Sequence, residues 1–221
     1  MDLRDLFFPK NCLLCNKQGS YICAQCLLKV PKARQKCPVC NWYSFKGKTH
    51  PSCKKNLDLD GHFALWKYGG AVRKGIHAFK YRFASDVAGE FVNYIIKSHF
   101  EPKSCLLVPI PLHTTRHNWR GFNQSELIAS KLAEKTDNNY AGNLLIRSKK
   151  TTPQAQLGKK ERLQNLRGKF ALNKEYLDKV KDYKTIVIVD DVWTTGSTIK
   201  EAAKVLKKAG AKNVWGFTLA R

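Results

Sequence analysis

Acidic residues are scarce: 17 Asp and Glu stand against 40 Lys and Arg in 221 residues, a formal charge of +23. That excess goes beyond what solubility requires and points to a polyanion, nucleic acid or an anionic membrane face. Long apolar runs are also missing. None approaches the roughly 18 to 20 residues of a spanning helix, which excludes an integral helical membrane protein. The opening MDLRDLFFPKN offers only Leu-Phe-Phe as an apolar stretch and no secretory signal, so a cytoplasmic location is expected. Neither G-x-x-x-x-G-K-[ST] nor G-x-G-x-x-G occurs, so Walker and dinucleotide-fingerprint sites are excluded. No helix-turn-helix or recognition-helix finger is visible, which disfavours sequence-specific duplex reading. What remains is a domain of about 150 residues with an appendage, and 43% hydrophobic residues to fill its core.

Cysteine, by contrast, is concentrated. Seven of eight lie before residue 54, six of them as C-x-x-C pairs: Cys12/Cys15, Cys23/Cys26 and Cys37/Cys40. Paired thiolates on tight knuckles supply the tetrahedral sulfur set that zinc prefers, whereas disulfides would be reduced in a cytoplasm. His50 and Cys53 repeat the x-x spacing and complete eight ligands, enough for two zinc ions. Cys12, Cys15, Cys23 and Cys26, separated by few residues, are expected to share one site, and Cys37, Cys40, His50 and Cys53 the other. Spacing leaves a crossed pairing open, and iron would take the same ligands. Cys105, in the run CLLVPIPL, reads as a core residue. The zinc-stapled segment is too short to bury much surface, so metal supplies much of its folding energy. Residues 1–58 are therefore expected to form a zinc-ribbon-like module, with 59–221 as the main domain.

That domain alternates strand and helix. FALWKY reads as a strand, and Val87, Phe91, Val92, Ile95 and Ile96 form one apolar helical face within a long helical stretch. Cys105 to Leu112 reads as a buried strand, and Asn123 with Glu126 as a capping box opening the helix of Leu127, Ile128 and Leu132. LLIR and GKFAL flank a long polar segment. TIVIV is a strand ending in Asp190-Asp191, followed by a helix with Ile199, Ala202, Ala203 and Leu206 and by the strand NVWGFTLAR. The alternation implies an α/β fold, a mostly parallel sheet flanked by helices.

Ligands of such sheets bind beyond the carboxyl ends of the strands. TIVIV delivers Asp190, Asp191, Val192, Trp193, Thr194, Thr195, Gly196, Ser197 and Thr198 to that edge. Adjacent carboxylates accept hydrogen bonds from ribose hydroxyls, while hydroxyl side chains around a glycine at a helix start suit a phosphate. The site therefore fits a ribose 5-phosphate. The run resembles the phosphoribosyl-pyrophosphate (PRPP) motif of type I phosphoribosyltransferases.

With FALWKYGGAVRKGIHAFKYR, VPIPLHTTRHNWRGFNQSELIASKLAE, TPQAQLGKKERLQN and the paired cysteines, nearly the whole chain resembles the ComF competence proteins. The resemblance implies a type I phosphoribosyltransferase-like domain with a pyrophosphate loop after VPIPL, a hood over residues 147 to 167, and a PRPP loop at 190 to 198. Asp190 and Asp191 would hold the ribose, Thr194 to Thr198 the 5-phosphate, and Mg²⁺ would bridge ribose and pyrophosphate oxygens. Arg116, Arg120, Gly121 and Asn123 fall at the pyrophosphate loop, and Lys80, Tyr81 and Arg82 would close over the same anion. His50 replaces a more usual cysteine.

Three functions follow from these features. In the first, a competence protein binds imported single-stranded DNA in the cytoplasm, beside a helicase-like ComFA-type partner and other competence proteins. Residues 147 to 169 carry eight Lys and Arg against Glu161 alone, and Trp42, Tyr43 and Phe45 lie beside Lys46 and Lys48, an interleaving suited to stacked bases. The second is an active phosphoribosyltransferase with an unidentified acceptor. Thr194 stands where the hypoxanthine-guanine enzymes carry an acid, and no cysteine follows Met1 to serve an amidotransferase. The third is a PRPP sensor that signals through a protein partner. Basic charge, with Leu3, Leu6 and Phe7, also allows peripheral contact with the inner membrane.

Overall fold

Four consecutive apolar residues, Ile186 to Val189, have no polar face to turn toward water, so the strand that carries them must be covered on both sides. The computed structural model describes residues 10–55, 58–79, 84–97, 104–112, 119, 121–147 and 168–221. After residue 60 it contains β1 (Gly61–Trp66), β2 (Leu106–Pro109), β3 (Asn139–Tyr140), β4 (Leu145–Arg147), β5 (Phe170–Leu172), β6 (Thr185–Val192) and β7 (Asn213–Ala220). Between them lie α2 (Gly70–Phe79), α3 (Ala84–Lys97), α4 (Gln124–Thr136), α5 (Leu177–Asp182) and α6 (Ser197–Lys208). Five strands form one parallel sheet in the order β1-β7-β6-β2-β3, and β4 pairs antiparallel with β5 apart from it.

Alternate residues of β6 serve different cores. Val187 and Val189 pack with Phe91, Val92 and Ile95 of α3 and with Ile128 and Leu132 of α4. Ile186 and Ile188 pack with Ile199, Ala203 and Leu206 of α6 and with Leu106 and Val108 of β2. Each face is thus sealed by helices, as a parallel sheet requires.

Register decides where the site lies. β2 and β6 are neighbours, with Leu106 opposite Ile186 and Pro109 opposite Val189. From β2 the chain passes through α4 to β3 on one side, whereas from β6 it passes through α6 to β7 on the other. Two adjacent strands whose connections diverge make a topological switch point, with a crevice at their carboxyl ends.

Residues 10–55 have little regular structure: α1 (Ala24–Leu28), two short 3-10 turns at Phe45–Gly47 and Pro51–Cys53, and isolated bridges such as Lys36 with Tyr43. Several expectations shift in detail. The long helical stretch is two helices, α2 and α3, and β1 starts two residues earlier than FALWKY and stops at Trp66. β2 is shorter than Cys105 to Leu112; Cys105 precedes it, buried, with its N–H given to Asn138. Asn123 caps α4 by accepting from the Ser125 N–H. No described helix is long and apolar enough to cross a membrane.

Candidate functional site

Two ligand clusters stand in the first 55 residues. Cys12, Cys15, Cys23 and Cys26 form one, and Cys37, Cys40, His50 and Cys53 the other, with the ligand atoms of each within 4.8 Å of one another. A tetrahedral zinc with Zn–S of about 2.3 Å holds its sulfurs roughly 3.8 Å apart. Cys15 Sγ lies 3.6 Å from Cys23 Sγ, and Cys40 Sγ lies 3.4 Å from His50 Nδ1, so both sets fit zinc. His50 Nε2 lies 3.0 Å from the Tyr43 carbonyl. A carbonyl can only accept, so Nε2 carries the proton and Nδ1 keeps its lone pair for the metal.

The thiols differ in acidity. Burial works against ionisation of Cys12, yet backbone N–H groups of Cys23, Cys15 and Leu14 outweigh it and bring the thiol down to about 6. At Cys37 burial is likewise overcome by N–H groups of Cys40, His50 and Val39, giving about 7. Sharing a proton with Cys15 pushes Cys26 up to about 12, and Cys53 is raised the same way by Cys40. Cys12 and Cys37 thus give up a proton to a metal more readily than Cys26 and Cys53. Burial alone pushes Cys105 up to about 12, as expected of an inert core thiol.

The switch-point crevice carries the second candidate site. Ile110 N–H donates to the Val189 carbonyl at 2.9 Å, continuing the β2–β6 ladder, and Asn123 Nδ2 donates to the Ile110 carbonyl at 3.0 Å. These bonds fix the start of α4 beside the end of β6. Ser125 Oγ then donates to Asp190 Oδ1 at 3.0 Å, and the Asp191 N–H donates to the same oxygen at 2.9 Å. Asp190 and Asp191 lie within β6, which extends to Val192, and both are half-buried at the crevice.

Beyond them the chain turns sharply into α6. Gly196 is the N-cap at φ 72°, without a side chain to cap the helix. A Cβ there would fall 2.0 Å from the Trp193 ring, so both backbone and packing demand glycine. Thr195 Oγ1 lies 2.8 Å from Ser197 Oγ and accepts from the Ser197 N–H at 3.3 Å. Thr194 and Thr195 are exposed, and Ser197 and Thr198 half-buried. Hydroxyls and backbone N–H groups at the start of a 12-residue helix form an anion-binding arrangement.

Trp193 itself is buried, and its ring centroid lies 4.0 Å from that of His62 in β1. Burial, then the nearby charges of Arg221 and Lys200, hold the His62 imidazole well below its usual range, so it is neutral there. Sequence reasoning missed Ser125 and the structural use of Trp193; an exposed-looking serine in a helix cap gives no signal of a partner 65 residues away. Lys80, Tyr81, Arg82, Arg116, Arg120 and residues 148–167 of the expected hood lie outside the described residues. Gly121, at φ 74°, precedes the α4 cap.

A family model for the phosphoribosyl transferase domain matches residues 123–220. Competence protein F of Haemophilus influenzae is 36% identical over 118 residues, covering 52% of this chain and 49% of that protein. The chain thus spans about half the length of that relative. DNA utilization protein YhgH of Salmonella typhi is 28% identical across 98% of this chain and 99% of its own length. Competence protein ComFC of Streptococcus pneumoniae is 26% identical across 95% of this chain and 91% of its own. The chain is therefore similar to the competence proteins F and ComFC, and in it a stretch that matches the phosphoribosyl transferase domain follows two cysteine clusters that fit zinc.

Proposed function

We propose that this protein binds single-stranded DNA in the cytoplasm during natural transformation and carries a PRPP–Mg²⁺ site in the crevice between β2 and β6. The observation that carries the anion site is the convergence of Asp190, Asp191 and the Gly196-led start of α6 on the switch point. Asp190 and Asp191 offer carboxylate oxygens that accept from ribose hydroxyls, and the Thr195–Ser197 turn offers hydroxyls and N–H groups to a 5-phosphate. Magnesium bound with the diphosphate would neutralise its oxyanion charge.

For DNA, support comes from the second zinc knuckle. Trp42, Tyr43 and Phe45 are 76%, 71% and 65% exposed, an uncommon concentration of uncovered aromatic surface. Trp42 and Tyr43 line a concavity of about 490 Å³ with Arg34, Gln35, Lys36 and Asn41. Rings stack on unpaired bases while the cations follow the phosphates, a sequence-tolerant mode. The relatives named for competence and DNA utilization support the same reading. Partners would include a helicase-like ComFA-type protein and other competence proteins, at or near the inner membrane face.

The test is binding of a labelled single-stranded oligonucleotide across a salt series, with and without PRPP and Mg²⁺. The expected affinity falls with a log–log slope of magnitude about 0.7 per phosphate neutralised, and Trp42→Ala with Tyr43→Ala weakens it by about 1–3 kcal/mol per stacked base lost. Affinity indifferent to salt would sink the DNA reading. PRPP binding that survives Asp190→Asn with Asp191→Asn would sink the crevice assignment. Pyrophosphate release on adding one particular acceptor would favour the transferase reading, for which the matched domain is the support.

A further inference from the structure

The residue after β7 spans the gap between the second metal centre and the phosphate loop. Arg221 donates from Nη2 to Asn41 Oδ1 at 2.6 Å and from Nη1 to the Lys36 carbonyl at 3.2 Å. Both acceptors belong to the knuckle of that centre. Lys36 precedes Cys37, and Asn41 follows Cys40, at φ 65° with its N–H given to the Cys37 carbonyl at 3.0 Å. The guanidinium carbon lies 5.1 Å from the centroid of the Trp193 ring. That ring in turn occupies the space where a Cβ on Gly196 would stand. Knuckle, guanidinium, indole and loop glycine therefore form one unbroken line of contact.

We propose that Arg221 is a positioning residue, a strut through which metal bound by Cys37, Cys40, His50 and Cys53 sets the conformation of the loop at residues 193–198. Its value to function rests on the PRPP reading of that loop. A metal on Cys37 and Cys40 locks the knuckle, which fixes the Lys36 carbonyl and the Asn41 side chain in space. A planar guanidinium holding two acceptors has one orientation in which both bonds survive, and a lysine could not reproduce it. So oriented, it lies on Trp193, whose backbone is already fixed by donation from its N–H to the Ala220 carbonyl at 2.8 Å. Lys200 Nζ also lies 5.6 Å from that ring, but it stands on α6 rather than on the residue that holds the two knuckle acceptors. Gly196, lacking a side chain, depends on its surroundings to stay in the left-handed region.

The test uses the full-length, zinc-loaded protein and reads amide hydrogen exchange of residues 192–199. Arg221→Leu removes the strut, and Asn41→Gly removes its acceptor while tolerating the positive φ. Each is expected to speed exchange in the loop about tenfold, the loss of one charge-assisted bond, with zinc content and protection of α4 unchanged. Arg221→Lys is expected to restore only part of the protection. Chelation of the second centre should quicken the loop clearly more in the wild type than in Arg221→Leu, because the strut carries a large part of that effect. Unchanged loop exchange in Arg221→Leu would overturn the proposal, as would chelation acting fully in that variant. Addition of PRPP and Mg²⁺ to the wild type is a separate arm. Failure to protect the loop there would sink the PRPP reading and leave the strut to stand or fall on the first two results.

Discussion

The first cluster of metal-ligand residues leans on a helix, whereas the second is built into the edge of the sheet. Around the first, Glu90 of α3 accepts from the N–H groups of Tyr21 and Ile22 at 2.9 Å each, and the Tyr94 hydroxyl donates to the Ile22 carbonyl at 2.7 Å. Around the second, the chain from Lys32 to Lys48 is woven along β1. Gln35 donates to the Ala64 carbonyl and accepts from the Ala64 N–H, Ala33 N–H donates to Leu65, and Lys48 bridges Gly61. Gly47 sits against the His62 carbonyl so closely that a Cβ would come within 2.0 Å of its oxygen. Similar ligand chemistry thus serves two ends: the first cluster closes a docked appendage, and the second is part of the wall behind the loop at residues 193–198.

Removing a ligand from each centre tests that contrast with the largest effect. Structural zinc contributes about 10–16 kcal/mol of apparent binding energy at neutral pH, so Cys12→Ser and Cys37→Ser should each release one metal and unfold its surroundings. After Cys12→Ser, amide protection should vanish in residues 10–30 while β1 stays protected. After Cys37→Ser, the loss should spread into β1 and the loop at 193–198. Equal loss of β1 protection in both variants, with metal content measured alongside, would erase the distinction.

Asp60 offers a finer test on the sheet side. Its carboxylate binds Lys54, next to Cys53, at 2.8 Å, Lys207 of α6 at 2.7 Å, and the Val214 N–H of β7 at 2.7 Å. One acid thus joins the second knuckle, a helix and a strand. Burial works against its charge, yet Lys207, Lys54 and the Val214 N–H prevail and hold it below the usual carboxylate range. A carboxylate depressed in the native state stabilises the fold above its unfolded pKa, about 3.9, and loses that contribution as pH falls through the native value. Asp60→Asn leaves Lys207 short of a counter-charge and should cost about 3 kcal/mol at pH 7. Urea titrations should show that cost constant from pH 8 to 5, beginning to fall near pH 4 and lost only as pH drops through the depressed native value. A cost that persists in acid would mean that shape, not charge, makes the contact.

Much of this plan is legible in the sequence because its signals are local. C-x-x-C pairs specify ligands within four residues, a continuous run such as TIVIV specifies a strand covered on both faces, and a glycine amid hydroxyls specifies a helix start. The anchors are not legible, since each is a single side chain meeting a partner distant in sequence. Glu90 meets Tyr21 across 69 positions, and Arg221 meets Asn41 across 180. Nothing in Glu90's own neighbourhood separates it from a solvated acid on an amphipathic helix. β3 went unanticipated for another reason: two residues, Asn139 and Tyr140, carry no periodicity, and only their pairing with Leu106 and Leu107 of β2 makes them a strand.

Glu90 itself gives the smallest and most discriminating test. Its two carboxylate oxygens each take one N–H, from consecutive residues just before Cys23. In Glu90→Gln one oxygen becomes an NH₂ group that faces a backbone N–H, so one acceptor is lost and a donor meets a donor. Hydrogen bonds to charged groups contribute about 1.5–3 kcal/mol, and the retained carbonyl keeps part of that, so a cost near 2 kcal/mol is expected. Because the metal ligands are untouched, zinc content should stay constant while exchange at residues 21 and 22 rises. The second cluster and the loop at 193–198 should not respond, since among the described residues the bonds of Glu90 go to Tyr21 and Ile22. A quickened loop in Glu90→Gln would show that the first centre also communicates with the crevice, and that anchorage alone does not set the two centres apart.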